Sequence, residues 1–319
     1  MIQTVAGSVE NHELGFCQCH EHIFIRKGRS FEINPALWME DINKSTDELI
    51  LYRNSSGRSL ADAQPVGCGR MAGLLLQASR NSGVNIIAST GFHKLIFYRQ
   101  EHWIHSIGRE ELTGLFVDEI LTGMYADGDD GFPSLRTSAK AGIIKTAAAG
   151  EGVAGEYKKL FAAAAEASLR TGAPIMCHLD KQQDAFSVIK FLTDLGVQSS
   201  NIILCHLDRA YYDAEFHIRA AQTGVYLEYD TIGRFKYHSD EAEITLIKQL
   251  IRSGHTGQIL LGLDTTNRRL KNYGGEIGLD YIRRIFIDKM LKAGITEEAV
   301  ENFTVDNPSK ALSIKAKQK

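Results

Sequence analysis

Short apolar runs recur along the chain, and the stretches between them carry apolar residues at helical spacing. The runs occupy residues 15–19, 59–64, 84–90, 142–145, 174–178, 202–206, 225–230 and 259–264. Their length and continuity suit strands buried on both faces, as in a parallel sheet. The segments 71–81, 110–126, 157–171, 184–195, 213–223, 241–254 and 279–293 read as helices; Leu112, Leu115, Phe116 and Ile120 illustrate the repeat. Helix stops appear as Ser82-Gly83, Thr171-Gly172, Leu195-Gly196, Thr223-Gly224, Ser253-Gly254 and Ala293-Gly294, each offering a glycine for the left-handed cap. Strands alternating with helices predict parallel βαβ units, and eight such strands predict closure into a (β/α)8 TIM barrel. The run at 59–64 is the weakest, because Pro65 and several glycines crowd its end. Residues 296–311 read as a closing helix with a turn at Pro308, and 315–319 as a frayed tail.

Composition narrows the class. The 319 residues contain no linker, low-complexity tract or composition break, so a single domain over 1–319 is expected. Hydrophobic residues make up 44% of the chain, enough for one large core. A formal charge of −3 supplies no basic field for nucleic acid or an anionic membrane. No run of about 18 apolar residues could span a bilayer. The start, Met1-Ile2-Gln3-Thr4, lacks the basic and apolar regions of a signal peptide. A cytoplasmic protein is the expectation.

The five cysteines form no disulfide framework, in keeping with a reducing compartment. Cys19, Cys177 and Cys205 each precede a histidine. If those histidines face the barrel interior, alternation turns the cysteines toward the helix layer as small apolar fillers. A cysteine-rich zinc site is disfavoured, because closed sites use closely paired cysteines.

The candidate chemistry gathers at the ends of the apolar runs. His20 and His22 are two apart, so on a strand they share a face and Glu21 points the other way. His178, His206 and Asp264 end three later runs, and Lys145 ends the run that starts at Gly142. Polar residues at the carboxyl ends of successive strands are what a barrel uses to hold metal in its mouth. Imidazoles and a carboxylate suit zinc and similar divalent ions. Any one histidine could be a hydrogen-bonded core residue; four at strand ends with an aspartate favour a metal site. An ammonium cannot bind metal, and burying one beside two cations is costly. A neutral Lys145 amine could add carbon dioxide and become a bridging carbamate; a surface lysine is the alternative.

Taken together, His20-x-His22, Lys145 after Ala141-Gly142-Ile143-Ile144, His178, His206, Asp264 and Val305-Asp306-Asn307-Pro308 resemble the phosphotriesterase-like family of the amidohydrolase superfamily. The resemblance spans the whole chain. It implies a (β/α)8 barrel with a binuclear metal centre at the C-terminal mouth. By that resemblance His20, His22 and Asp264 bind the more buried metal and His178 and His206 the more exposed one, with carboxylated Lys145 bridging. Zinc is the implied metal, with manganese and cobalt as alternatives. The implied reaction is hydrolysis by a hydroxide shared between the metals, with Asp264 also relaying the proton. A homodimer is implied too. No Gly-x-Ser-x-Gly elbow supports a serine triad instead.

The late loops bear on substrate. Arg234, Lys236 and Tyr237 follow one run, and Arg268, Arg269, Lys271 and Tyr273 follow the last. Arg209, Tyr211 and Tyr212 follow His206. Barrel enzymes often place a phosphate site after the last two strands, and arginine suits phosphate oxygens. Solvated surface charge is the plain alternative. The segments 207–213 and 224–230 are similar to the sugar-lactone hydrolases of the family. The expected substrate is therefore a small anion, a phosphorylated sugar lactone, held by Arg209, Arg234, Lys236, Tyr237, Arg268, Arg269 and Tyr273, with His93 lining the mouth. An uncharged phosphotriester or an acyl-homoserine lactone needs no such cations, and a non-catalytic sugar-phosphate binder would not need the whole metal set.

Overall fold

Apart from Asn85 at the start of one strand, every residue of the barrel strands is buried, because helices cover one face and the closed lumen covers the other. A computed structural model describes residues 1–150, 152–180, 184–209 and 213–315. A short antiparallel hairpin, β1 (Ile2–Thr4) and β2 (Gly7–Val9), precedes the barrel. The barrel strands are β3 (Cys17–Glu21), β4 (Ser59–Asp62), β5 (Asn85–Gly91), β6 (Ala141–Ala148), β7 (Ile175–Leu179), β8 (Ile202–Cys205), β9 (Tyr226–Tyr229) and β10 (Ile259–Leu261). They are hydrogen-bonded in chain order, each parallel to the next. At the seam between β10 and β3, Asp264 N–H donates to His20 O at 2.9 Å. The eight predicted runs are these eight strands, shifted by a few residues at their ends.

Two apolar layers result. The lumen holds Cys17, Cys19, Ala61, Ile87, Ile143, Met176, Ile203, Cys205, Tyr226 and Leu260, plugged below by Ile2, Leu14, Ala311 and Leu312. The larger layer packs strands against helices and includes Ile86, Ile144, Ile175, Cys177, Ile202 and Leu227. The helix Asp240–Arg252 shows how the outer layer forms. Ser239 accepts from Ala242 N–H at its start, acidic residues fill its first turn, and Ile244, Ile247 and Leu250 face inward. Burying each such side chain contributes about 1.5–3 kcal/mol.

The cysteine expectation holds for Cys177 alone. Cys19 and Cys205 belong to the lumen layer. Pairing of β3 with β4 shifts register between Gln18 and Glu21, and this bulge turns His20 mouthward one residue after Cys19. After β8, His206 adopts φ 62°, which reverses its direction relative to Cys205.

Three further expectations change. A helix at Ile42–Asn54 has no counterpart in the predicted pattern. Its inward face carries Ser45, Thr46 and Glu48 as well as Leu49 and Tyr52, so apolar periodicity is faint. Asp41, accepting from Asn43 and Lys44 N–H, marks its start. Pro308 lies near the start of the helical segment Asn307–Ala311, directly after the π-helical Asn302–Asp306, and makes no turn. Lys315 is held, not frayed: its N–H donates to Gly172 O at 3.0 Å and its ammonium to Ser200 Oγ at 3.0 Å. Residues 316–319 lie outside the described residues. Among the described residues no helix is long and apolar enough to cross a membrane.

Candidate metal centre and mouth

The C-terminal ends of the barrel strands converge on a cavity of about 750 Å³ that opens to solvent. His20, His22, Lys145, His178, His206 and Asp264 all line it. Lys145 reaches it from the middle of β6 and is only 1% exposed. Glycine makes room at two points. Gly91, at φ 96°, lies where any side chain would run into the Lys145 backbone, and a Cβ on Gly262 would stand 3.0 Å from the His20 Cβ. His206 and Asp264 themselves have left-handed backbone, φ 62° and 50°.

Carboxylates assign the ring protons. His178 Nε2 lies 2.9 Å from Asp180 Oδ1, and His206 Nδ1 lies 2.6 Å from Asp230 Oδ1. His20 Nδ1 lies 2.8 Å from Glu228 Oε2 and 3.2 Å from Asp230 Oδ2. A carboxylate only accepts, so each of these nitrogens carries the proton and the opposite nitrogen faces the cavity. There, His206 Nε2 and His178 Nδ1 face each other across 2.7 Å. His20 Nε2 lies 3.2 Å from Lys145 Nζ, and His22 Nε2 lies 3.4 Å from Asp264 Oδ1. His22 Nδ1 is buried without a hydrogen-bond partner among the described residues.

These electrostatics fit a bound cation. Burial lowers His178 to about 3, against the opposing pull of Asp180. Burial, Arg209 and His178 together hold His206 well below the ordinary histidine range. At neutral pH no proton therefore lies between the two facing lone pairs, which repel unless a cation does. Burial and Lys145 oppose a charge on His20, but Glu228 and Asp230 outweigh them and push it up to about 9. Burial would raise the Asp264 carboxyl, yet Arg234, His22 and Arg209 hold it well below the usual carboxylate range. His178 and His206, neutral imidazoles each oriented by a carboxylate behind it, with His20, His22 and Asp264 beside them, offer the donor types of a divalent metal site.

Periodicity missed Glu228 and Asp230, the carboxylates behind His20 and His206. They sit inside a run that otherwise reads as buried strand, and the signal was there: acids at alternate positions of an apolar strand share one face. Glu21 behaves as expected, pointing away and accepting Leu263 N–H at 2.9 Å.

Around the donors, Arg209, Arg234, Lys236, Tyr237 and His93 line the cavity, joined by Lys94, Asn34 and Gln64. Arg209 Nη2 contacts Asp264 Oδ2 at 2.6 Å, and Arg234 Nη1 reaches the same oxygen at 3.2 Å. Lys94 pairs with Asp180 at 3.0 Å. Lys236 makes no ion pair with a described residue; its ammonium stands 4.6 Å from the Tyr237 ring.

Three expected substrate residues lie elsewhere. Arg269 is buried and donates to Ile232 O at 2.6 Å. Arg268 and Tyr273 line a separate surface groove with Trp38 and Lys44, and Tyr273 meets Ser45 Oγ at 2.9 Å. The segment after β10 turns outward, so its cations leave the mouth. Tyr211 and Tyr212 lie outside the described residues. An adjoining cavity of about 520 Å³ contains Arg26, Arg29 and Arg99, but each pairs with an acid and none of the convergent histidines reaches it.

Comparison with known proteins agrees with this geometry. The phosphotriesterase family profile matches residues 1–312. A phospho-furanose lactonase of Mycoplasmopsis synoviae is 32% identical over 332 residues, covering 99% of this chain and 92% of the relative. An N-acetyltaurine hydrolase of Danio rerio is 28% identical over 355 residues, covering 98% of each. The crystal structure of an amidohydrolase from Mycoplasma synoviae superposes with a TM-score of 0.94 at 30% identity, covering 99% of this chain and 93% of that one. The chain is a hydrolytic enzyme and belongs to the phosphotriesterase family.

Proposed function

We propose that the enzyme is a metal-dependent lactonase that opens a phosphorylated sugar lactone. The carrying observation is one cavity that combines the donor cluster at its floor with Lys236 at its wall, packed on Tyr237 and in no ion pair with a described residue. The relation to a phospho-furanose lactonase supports the same reading. In this proposal His20, His22 and Asp264 would hold one divalent ion and His178 and His206 a second, and Lys145, once carboxylated, would supply oxygen donors to them. Zinc is the first choice by donor type. Such ions, when bound, make water nucleophilic at neutral pH and polarise a carbonyl.

The chain's own groups do the rest. Asp264 presents Oδ1 to the His22 side while Oδ2 is held by two guanidiniums, so its orientation is fixed. It takes the proton from the attacking water and returns it to the ring oxygen as the lactone opens. Lys236 binds the phosphate as a point charge, with Arg234 and Arg209 adding positive potential. Five buried free cysteines support a reducing, cytoplasmic setting.

The test is proton release by metal-loaded enzyme on paired lactones with and without a terminal phosphate. N-acetyltaurine and an uncharged phosphotriester serve as competing substrates. Strong preference for the phosphorylated lactone establishes the reading. Faster cleavage of N-acetyltaurine makes the enzyme an amidase for a small anion, and faster triester cleavage makes it a phosphotriesterase.

A further inference from the structure

The loop between β9 and the helix Asp240–Arg252 carries Arg234, Lys236 and Tyr237, all facing the mouth. Its own backbone does little to hold that shape: Arg234 N–H bonds Thr231 O and Tyr237 N–H bonds Arg234 O, each at 2.9 Å. The anchors are side chains. Thr231 N–H donates to Asp208 Oδ2 at 2.6 Å, and Thr231 Oγ1 lies 3.0 Å from His238 Nε2. One end of the loop is thereby closed onto the other. The same His238 nitrogen lies 3.0 Å from Glu243 Oε2 and 3.7 Å from Asp208 Oδ2. Asp208 and Glu243 are each 1% exposed, and two buried carboxylates side by side demand a partner between them. Asp208 follows β8, and Glu243 lies in the first turn of the helix. His238 therefore joins the loop to two separate elements, while Gly233 N–H donating to Asp240 Oδ1 adds a third tie.

We propose that His238 is a positioning residue for anion recognition: by bridging Thr231, Asp208 and Glu243 it holds the loop with Arg234, Lys236 and Tyr237 toward the mouth. His238 does not line the cavity, so it acts through the residues it holds. The inference rests on the phosphorylated-lactone reading above and adds a residue that sets substrate choice.

The test compares metal-loaded wild type, His238→Ala, His238→Gln and Glu243→Gln. Glutamine keeps a donor near the Nε2 position without the charge. Two quantities are read: the kcat/KM ratio of phosphorylated to unphosphorylated lactone, and hydrogen exchange of the amides from 232 to 238. In His238→Ala the ratio is expected to fall about tenfold and those amides to exchange about tenfold faster, with His238→Gln recovering part of both. Should the alanine variant not fold, the other two carry the test, with an expected fall in the ratio of about threefold. If wild type prefers the phosphorylated lactone and the folded variants keep that preference, the inference is overturned and the substrate reading stands. If wild type shows no preference, the substrate reading is overturned and the inference falls with it.

Discussion

Asp230 is the most economical place to test whether the mouth is built for metal. It is fully buried and accepts His206 Nδ1–H at 2.6 Å, His206 N–H at 3.0 Å and His20 Nδ1–H at 3.2 Å. Asp230→Asn keeps the shape but leaves one acceptor oxygen and introduces an amide N–H facing the same donors. With that oxygen turned to His206 Nδ1, the main-chain N–H of His206, a residue at φ 62°, loses its partner. His20 is less affected, because Glu228 also accepts from it. Loss of a carboxylate behind a ligand histidine typically weakens metal binding about 10–100-fold, or about 1.4–2.8 kcal/mol. Chelator competition on the purified variant reads the affinity directly. Thermal melting of the metal-free proteins separates that loss from a folding defect, and Glu228→Gln, which touches His20 alone of the histidines, should lose less. An Asp230→Asn affinity within about twofold of wild type, in a protein that melts normally, would refute the reasoning that this carboxylate orients two metal ligands.

Other predictions follow from the same geometry. Lys145→Ala should lose most bound metal and activity, with partial rescue by small carboxylic acids; unchanged metal content by elemental analysis would rule out a bridging lysine. Lys236→Ala should raise KM for a phosphorylated lactone by about tenfold, whereas Arg268→Ala, outside the cavity, should change it by less than about twofold. Steady-state kinetics on the paired lactones decides between them. His217 is fully buried, and burial lowers it from 6.5 to about 4. Because the folded value is the lower one, its contribution is present above 6.5 and is lost as pH falls through about 4. The difference amounts to about 3 kcal/mol. Urea unfolding of wild type and His217→Gln near pH 7 and near pH 4 should show that slope shrinking in the variant; parallel curves would remove His217 as its source.

The barrel was legible because its strands are continuous apolar runs and its helices end in glycine. The six candidate donor positions stood out because each falls at or just after the end of a predicted apolar run, and all six line one cavity. Hydrophobic pattern could not reveal the helix Ile42–Asn54, whose buried face includes Glu48, a carboxylate accepting Asn272 N–H at 2.6 Å. Nor could it show that Cys19 faces the lumen, since a bulge is one uncounted residue in a period-two pattern. Arg268, Arg269 and Tyr273 follow the last strand in sequence, but sequence order does not say which way a loop leaves the barrel. Asp230 and Glu228 carried a signal, acids at alternate positions of an apolar strand, but the pattern could not say that they face His206 and His20.

The left-handed backbone at His206 and Asp264 has a further consequence. For a residue with a Cβ that conformation costs about 1–2 kcal/mol, and it is relieved in glycine. A bare side-chain truncation at position 206 keeps the strain while discarding the imidazole. His206→Gly discards the imidazole and the strain together, so it should be the more stable of the two crippled proteins by about that amount. At both positions the backbone conformation alone would favour glycine, so the imidazole and the carboxylate are held in place at a conformational cost.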